Sequence, residues 1–366
     1  MQQPHVHCSL FSAKNASLVR PEIVIREARQ KNTELRFVRF QWQDHSGILR
    51  GRVVPIERCL RLAVEKKLTS MRTGSPSCAS GAWYATVMCG VVRTMPDQRR
   101  PNYGLYPRCA LARVMRKAAH GHDLNLLVGF EVEFEIMKTS GDNSIIPHIN
   151  SLGRFAIGGL REPWFAQVEE CIDELLDAGV GIQSFHTEGR RGQYEISLDP
   201  LPPLQAVDEL VLVHDRMKRV FSRHGYIATV CPKPVAGRRQ AIGQHTHISV
   251  HPPHCESSFL AGMLNRLGSL SGDLVAWGTQ DREVPIRKMS PGHWEIRCVD
   301  ATANMYLTLA SILSAGILGL IGQEPLAWPD TSLLQEGVNM SYAEPVYLPR
   351  TLDVALDLLE ANADEL

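Results

Sequence analysis

From Val128 to Ile136 every second residue is large and apolar (Val128, Phe130, Val132, Phe134, Ile136), while Glu131, Glu133 and Glu135 fill the positions between. A period of two marks a strand with one face on a core. Three carboxylates therefore share the opposite face, successive members ~6.8 Å apart. Like charges so placed on a central strand repel unless water or a cation neutralises them. An isolated strand of this kind reads as the solvated side of a sheet, but three further segments weigh against that reading.

In HTEGRRGQYEISLD, Glu188 precedes a turn built on Gly189 and Gly192. The strand that follows turns Tyr194, Ile196 and Leu198 to one face and Glu195 to the other. GQHTHISVH sets His245, His247 and Ser249 on one face, and HWEIRCVD points Trp294 and Ile296 inward with Glu295 in phase with Arg297. Four strands that each aim acid, imidazole or guanidinium groups away from an apolar face imply one shared polar cleft. Carboxylate oxygens dominate, which suits Mg²⁺ or Mn²⁺ better than tetrahedral zinc. WGTQDREVPIRKM adds Arg282 and Arg287, which with Arg297 suit phosphate oxygens. Metal with arginines points to phosphoryl transfer. There is no GxxxxGK[ST] and no GxSxG, so the P-loop and α/β-hydrolase signatures are missing.

The 366 residues suffice for about two domains. The hairpin pattern from Leu35 to Pro55, a strand near Trp83 to Val92, and helices at Pro21 to Gln30 and Pro55 to Lys67 predict a small α+β unit ending before Pro107. MRTGSPSCASGA within it reads as a loop. A second unit opens on the Pro107 helix. Its further helices fall at Pro163 to Ala178, Leu204 to His224 and Leu352 to Ala361, and further strands at Gln193 to Leu198, Tyr226 to Cys231, His245 to His251 and Trp294 to Val299.

Lys plus Arg and Asp plus Glu number 39 each, so no basic excess recommends nucleic acid or an anionic membrane. Nine cysteines without a CxxC pair read as reduced thiols, and the first residues lack a signal-peptide pattern, so the expectation is a cytoplasmic protein. Ala301 to Ile321 has the length of a bilayer span, but Thr302, Asn304, Thr308, Ser311 and Ser314 interrupt it. A buried core helix is expected there, and no membrane contact.

GFEVEFE, EGRRGQYE, ATVCPKP, GQHTHIS and EIRCVDATANMYL follow one another in the order of the glutamine synthetase family, and the chain resembles its fungal glutamine synthetase-like branch. The resemblance implies an α+β fold: a β-grasp-like domain over 35–105, after an N-terminal extension and helix over 1–34, then a catalytic domain over 106–366 with a curved, mostly antiparallel sheet and flanking helices. It implies ring-shaped homo-oligomers with sites between subunits. The implied activity is ATP-dependent activation of a carboxylic acid, usually glutamate, as an acyl phosphate captured by ammonia or an amine.

By the same resemblance Glu133, Glu188 and Glu195 are ligands of one Mg²⁺ (or Mn²⁺), and Glu131, His245 and Glu295 of a second. His247 and Ser249 are nucleotide contacts, Arg282 and Arg287 phosphate-binding groups, and Arg282 and Arg297 catalytic cations. The sequence also departs from the family. Between His247 and Trp277 it lacks the longer segment that carries a substrate-binding arginine and a flap glutamate, and His293 stands where a cationic arginine is usual. Two alternatives therefore accompany the ligase, which the resemblance suggests belongs to fungal specialised metabolism: a catalytically impaired relative with a regulatory or scaffold role, and a guanidino-type phosphotransferase.

Overall fold

Alternation of apolar residues on either side of Asp44 to Gly47 closes the first hairpin. In the computed structural model, which describes residues 21–31, 33–64, 84–89, 106–153, 155–237, 241–267, 275–333 and 351–361, β1 (Phe37–Gln43) pairs antiparallel with β2 (Leu49–Pro55). Asp44 Oδ1 accepts the backbone N–H of Ser46 and of Ile48, both at 3.0 Å, which fixes the turn. β3 (Tyr84–Met88) runs parallel to β1 on its other side, giving the order β2–β1–β3. α1 (Pro21–Lys31) and α2 (Ile56–Val64) supply Ile25, Ala28, Ile56, Cys59 and Leu60 to a core shared with Val38 and Phe40. The MRTGSPSCASGA loop lies outside the described residues.

The second sheet is built on β4 (Asn125–Thr139), whose apolar face is Val128, Phe130, Val132, Phe134 and Ile136, all nearly inaccessible. Its other strands are β5 (Ile145–Pro147), β6 (Ile182–Thr187), β7 (Gln193–Leu198), β8 (Ile227–Thr229), β9 (Gln244–His251), β10 (Trp277–Thr279), β11 (Ile286–Ser290) and β12 (His293–Ile296). Their order is β10–β11–β12–β9–β4–β7–β6, with β5 and β8 also on β4, and every pairing except β10 with β11 is antiparallel.

The helices are α3 (Pro107–His122), α4 (Phe165–Asp177), α5 (Pro203–Arg223), α6 (Glu256–Arg266), α7 (Met305–Ile321) and α8 (Leu352–Ala361). Prolines open α3 and α5, where a missing N–H is harmless. Gly179 and Gly225 follow α4 and α5 with φ of +81° and +77°, values that only glycine adopts without strain. α7 is the buried helix expected from the apolar stretch, capped by Asn304, whose side chain accepts the Leu307 N–H. Among the described residues no helix is long and apolar enough to cross a membrane.

Three helices meet at a buried charge. Arg108 of α3 donates from Nε and Nη2 to both oxygens of Asp208 on α5, at 2.8 and 2.6 Å, and the Tyr306 hydroxyl of α7 donates to Asp208 Oδ1 at 2.6 Å. The small sheet is tied to this body by Arg39 Nη2, 2.7 Å from Asp215 Oδ2 on α5. Asn304 Nδ2 adds a second tie by donating to the Asp44 carbonyl at 2.6 Å.

Candidate metal and phosphate site

Strand register gathers the polar side chains into rows. Glu133 lies opposite Glu195, and Glu195 opposite His186, so β4, β7 and β6 place three ligand-type residues side by side. One step along β4, Glu131 faces His245 on β9 and Ser197 on β7. On β9, His247 lies opposite Glu295 of β12, and Glu295 opposite Arg287 of β11. Facing pairs in adjacent strands have Cβ atoms ~5 Å apart, so long side chains on these rows touch.

The contacts follow. His245 Nδ1 is 2.9 Å from Glu131 Oε2 and 3.3 Å from Glu295 Oε1, and His247 Nε2 is 3.2 Å from Glu131 Oε1. Carboxylates accept, so His245 carries its proton on Nδ1. In the neutral ring Nε2 then turns a lone pair toward Glu133 Oε1, 3.9 Å away. Glu133 Oε2 accepts the Gly243 N–H at 2.8 Å, and Glu188 Oε2 that of Gly189 at 3.2 Å. Glu135, on the same strand face, is buried and receives the Gln193 amide at 3.1 Å.

Arg287 Nη1 reaches Glu295 Oε2 at 3.1 Å, and Arg297 Nη1 forms an ion pair with Glu295 Oε1. Ser249 lies two residues beyond His247 on β9, opposite His293, whose Nε2 is 3.1 Å from His247 Nδ1. Arg282 is exposed in the turn between β10 and β11, and among the described residues no hydrogen bond or ion pair joins it to the carboxylates. Arg266, of α6, pairs with Glu324.

The electrostatics are those of a cluster short of positive charge. Burial, compounded by Glu131, Glu188 and Glu133, pushes the Glu195 carboxyl up to about 8. Burial and the Glu133 charge raise Glu188 as well. Burial works to raise Glu131 too, but hydrogen bonds from His245 and His247 prevail and hold it well below the usual carboxylate range. His293 is lowered by burial and by His247.

Among the described residues, three trios have ligand atoms all within 4.8 Å of one another: Glu131 with His247 and Glu295, Glu131 with Glu195 and His245, and His186 with Glu188 and Glu195. Oxygen-rich trios sharing Glu131 and Glu195 fit divalent cations. The trios do not coincide with the two ligand sets implied by resemblance. Glu133 belongs to none of them, and His186, which the sequence reading passed over, belongs to one. The signal that could have found His186 is its place on the strand just before Glu188.

Against known proteins, the model of the glutamine synthetase catalytic domain matches residues 104–263 and 265–366. The chain belongs to the glutamine synthetase family. Protein fluG of Emericella nidulans is 32% identical over 285 residues, which cover 70% of this chain and 33% of fluG. Gamma-glutamylpolyamine synthetase GlnA3 of Streptomyces coelicolor is 29% identical over 266 residues, 60% of this chain and 56% of that protein. The matches thus span about a third and about half of these relatives. Of the solved structures, a GmaS/ADP complex shares 23% identity with a TM-score of 0.76, covering 92% of this chain and 90% of that one, and so shares its fold.

Proposed function

We propose that the chain is an ATP- and divalent-metal-dependent ligase that activates a small carboxylic acid, of the glutamate type, as an acyl phosphate and transfers the acyl group to ammonia or an amine. The observation that carries this is the convergence of Glu131, Glu133, Glu188, Glu195, His245 and Glu295 on one sheet face with arginines at its edge. Glu133, Glu188 and Glu195 would hold one ion, and Glu131, His245 and Glu295 the ion at the ATP phosphates. Bound Mg²⁺ or Mn²⁺ would neutralise charge on the phosphoryl oxygens. Arg287 and Arg297, held at the cluster by Glu295, keep positive charge where the transferred group gathers negative charge, and Arg282 adds a third cation from the β10–β11 turn. His247 and Ser249 would contact the nucleotide.

The family's longer segment falls between His247 and Trp277, where the match to the catalytic-domain model breaks at residue 264, so the connection in this chain is the shorter one. A short connection leaves the site open to an acceptor bulkier than ammonia, and the name of GlnA3 gives a polyamine as a relative's acceptor. The same shortening favours a second reading, a nucleotide- and metal-binding relative with a regulatory or scaffold role. The domain limits at 34 and 105, the β-grasp-like character of the small domain, the homo-oligomer and the cytoplasmic location belong to this proposal too.

Incubating the protein with Mg²⁺, ATP and glutamate, plus ammonia or a panel of amines, tests it. Phosphate release that depends on the acceptor is expected of the ligase; ATP binding without turnover would leave the second reading. Glu133→Ala and Glu195→Ala should each abolish stabilisation by Mn²⁺, and melting shifts unchanged in both would remove the metal at those residues.

A further inference from the structure

We propose that His186 is an imidazole ligand of the cation at Glu188 and Glu195, and that it biases this position toward Mn²⁺ and other transition ions over Mg²⁺. The inference rests on the metal reading above and deepens it. His186 and Glu195 are directly opposed on adjacent strands, with His186 Nε2 3.3 Å from Glu195 Oε1 and Nδ1 3.9 Å from Glu188 Oε1. Neighbouring ligands of a six-coordinate ion with bonds of ~2.1 Å are roughly 3 Å apart, so the Nε2 to Oε1 spacing is that of two ligands of one ion.

Which ring nitrogen can bind is settled by a second contact. His186 Nδ1 is 3.1 Å from the Thr187 carbonyl oxygen, and a carbonyl can only accept, so Nδ1 carries the hydrogen. The neutral ring then presents the bare Nε2 lone pair to a carboxylate oxygen. Once the Glu195 carboxyl is ionised, as a metal ligand is, two acceptors face each other across a gap that an electron-pair acceptor would fill. Donating the other ring N–H to a backbone carbonyl is how metal-binding histidines are oriented. That carbonyl is itself fixed, because Thr187 is buried, paired with Tyr194 and bonded through Oγ1 to the Ala156 carbonyl at 3.3 Å.

Carboxylates alone serve Mg²⁺ well. An imidazole adds affinity for divalent transition ions, least for Mn²⁺ among them, and less still for Mg²⁺, which holds nitrogen poorly against water. The His186 side chain is 47% exposed, so its replacement need not disturb the core.

Titration calorimetry of the full chain with Mn²⁺ and with Mg²⁺ would compare wild type, His186→Asn and Glu188→Gln, with melting in EDTA as the check on folding. His186→Asn should weaken one Mn²⁺ site by about tenfold or more and Mg²⁺ by less than about threefold, with melting in EDTA unchanged. Mn²⁺ loss in Glu188→Gln, with no change or an equal change for both ions in His186→Asn, would overturn the role of His186 and leave the metal site standing. A wild type that binds neither ion would overturn both.

Discussion

Loading the site with Mn²⁺ at pH 7 should expel about one proton per chain, and Glu195 is its source. With its carboxyl pushed up to about 8 by burial and by Glu131, Glu188 and Glu133, this residue is ~0.9 protonated at pH 7 before the ion arrives. A metal-bound carboxylate is ionised, so the proton must leave. Glu131, held well below the usual carboxylate range, is already ionised and adds nothing. Calorimetric titration with Mn²⁺ in two buffers of different ionisation enthalpy reads the number directly. About one proton is expected at pH 7 and ~0.1 from Glu195 at pH 9. The same shift sets the metal-free stability. The folded-state value lies above the ordinary 4.5, so the folded chain holds the extra proton between the two, and stability is lost as pH rises through about 8. The slope contributed is at most ~1.4 kcal/mol per pH unit, and Glu195→Gln should flatten it in EDTA. Tight Mn²⁺ binding at pH 7 with no proton release would refute the reasoning.

Three stability predictions follow from the packing. Asp208→Ala leaves the Arg108 guanidinium buried without its carboxylate, and a loss of about 3–5 kcal/mol in denaturant unfolding is expected, partly recovered when Arg108→Met is added. Gly262→Ala would set a Cβ 2.3 Å from the Ala315 carbonyl oxygen and 2.6 Å from Gly319 Cα, so α6 and α7 must part; about 1–3 kcal/mol should be lost, with a lowered melting temperature. Asn304→Ala removes both the cap on α7 and the bond to Asp44, for ~1–2 kcal/mol, and hydrogen exchange at the Asp44 to Gly47 turn should quicken.

Much of this arrangement was legible because a period of two assigns side chains to faces before any pairing is known. β7 and β9 lie within a residue of where alternation sets them, β4 extends three residues past its alternating run at each end, and Glu131, Glu133, Glu195, His245 and His247 share the side it predicts. Proline and glycine signals likewise bounded α3, α4 and α5. Some elements gave no such signal. β10 has three residues and β6 is exposed over most of its length, so neither carries an apolar alternation strong enough to read. α6 mixes Ser, Gly and Asn into its sequence, and its apolar side appears only against α7. Cross-strand register, which no single strand encodes, is what brings His186 beside Glu195 and both Arg287 and His247 beside Glu295.

Anomalous diffraction from crystals grown with Mn²⁺ and ATP tests the central claim most directly. Two manganese peaks are predicted on the polar face of the sheet, one in contact with Glu195 and Glu188 and one with Glu131, His245 and Glu295. A map with no manganese at these side chains, in crystals whose phosphates are ordered, would contradict it.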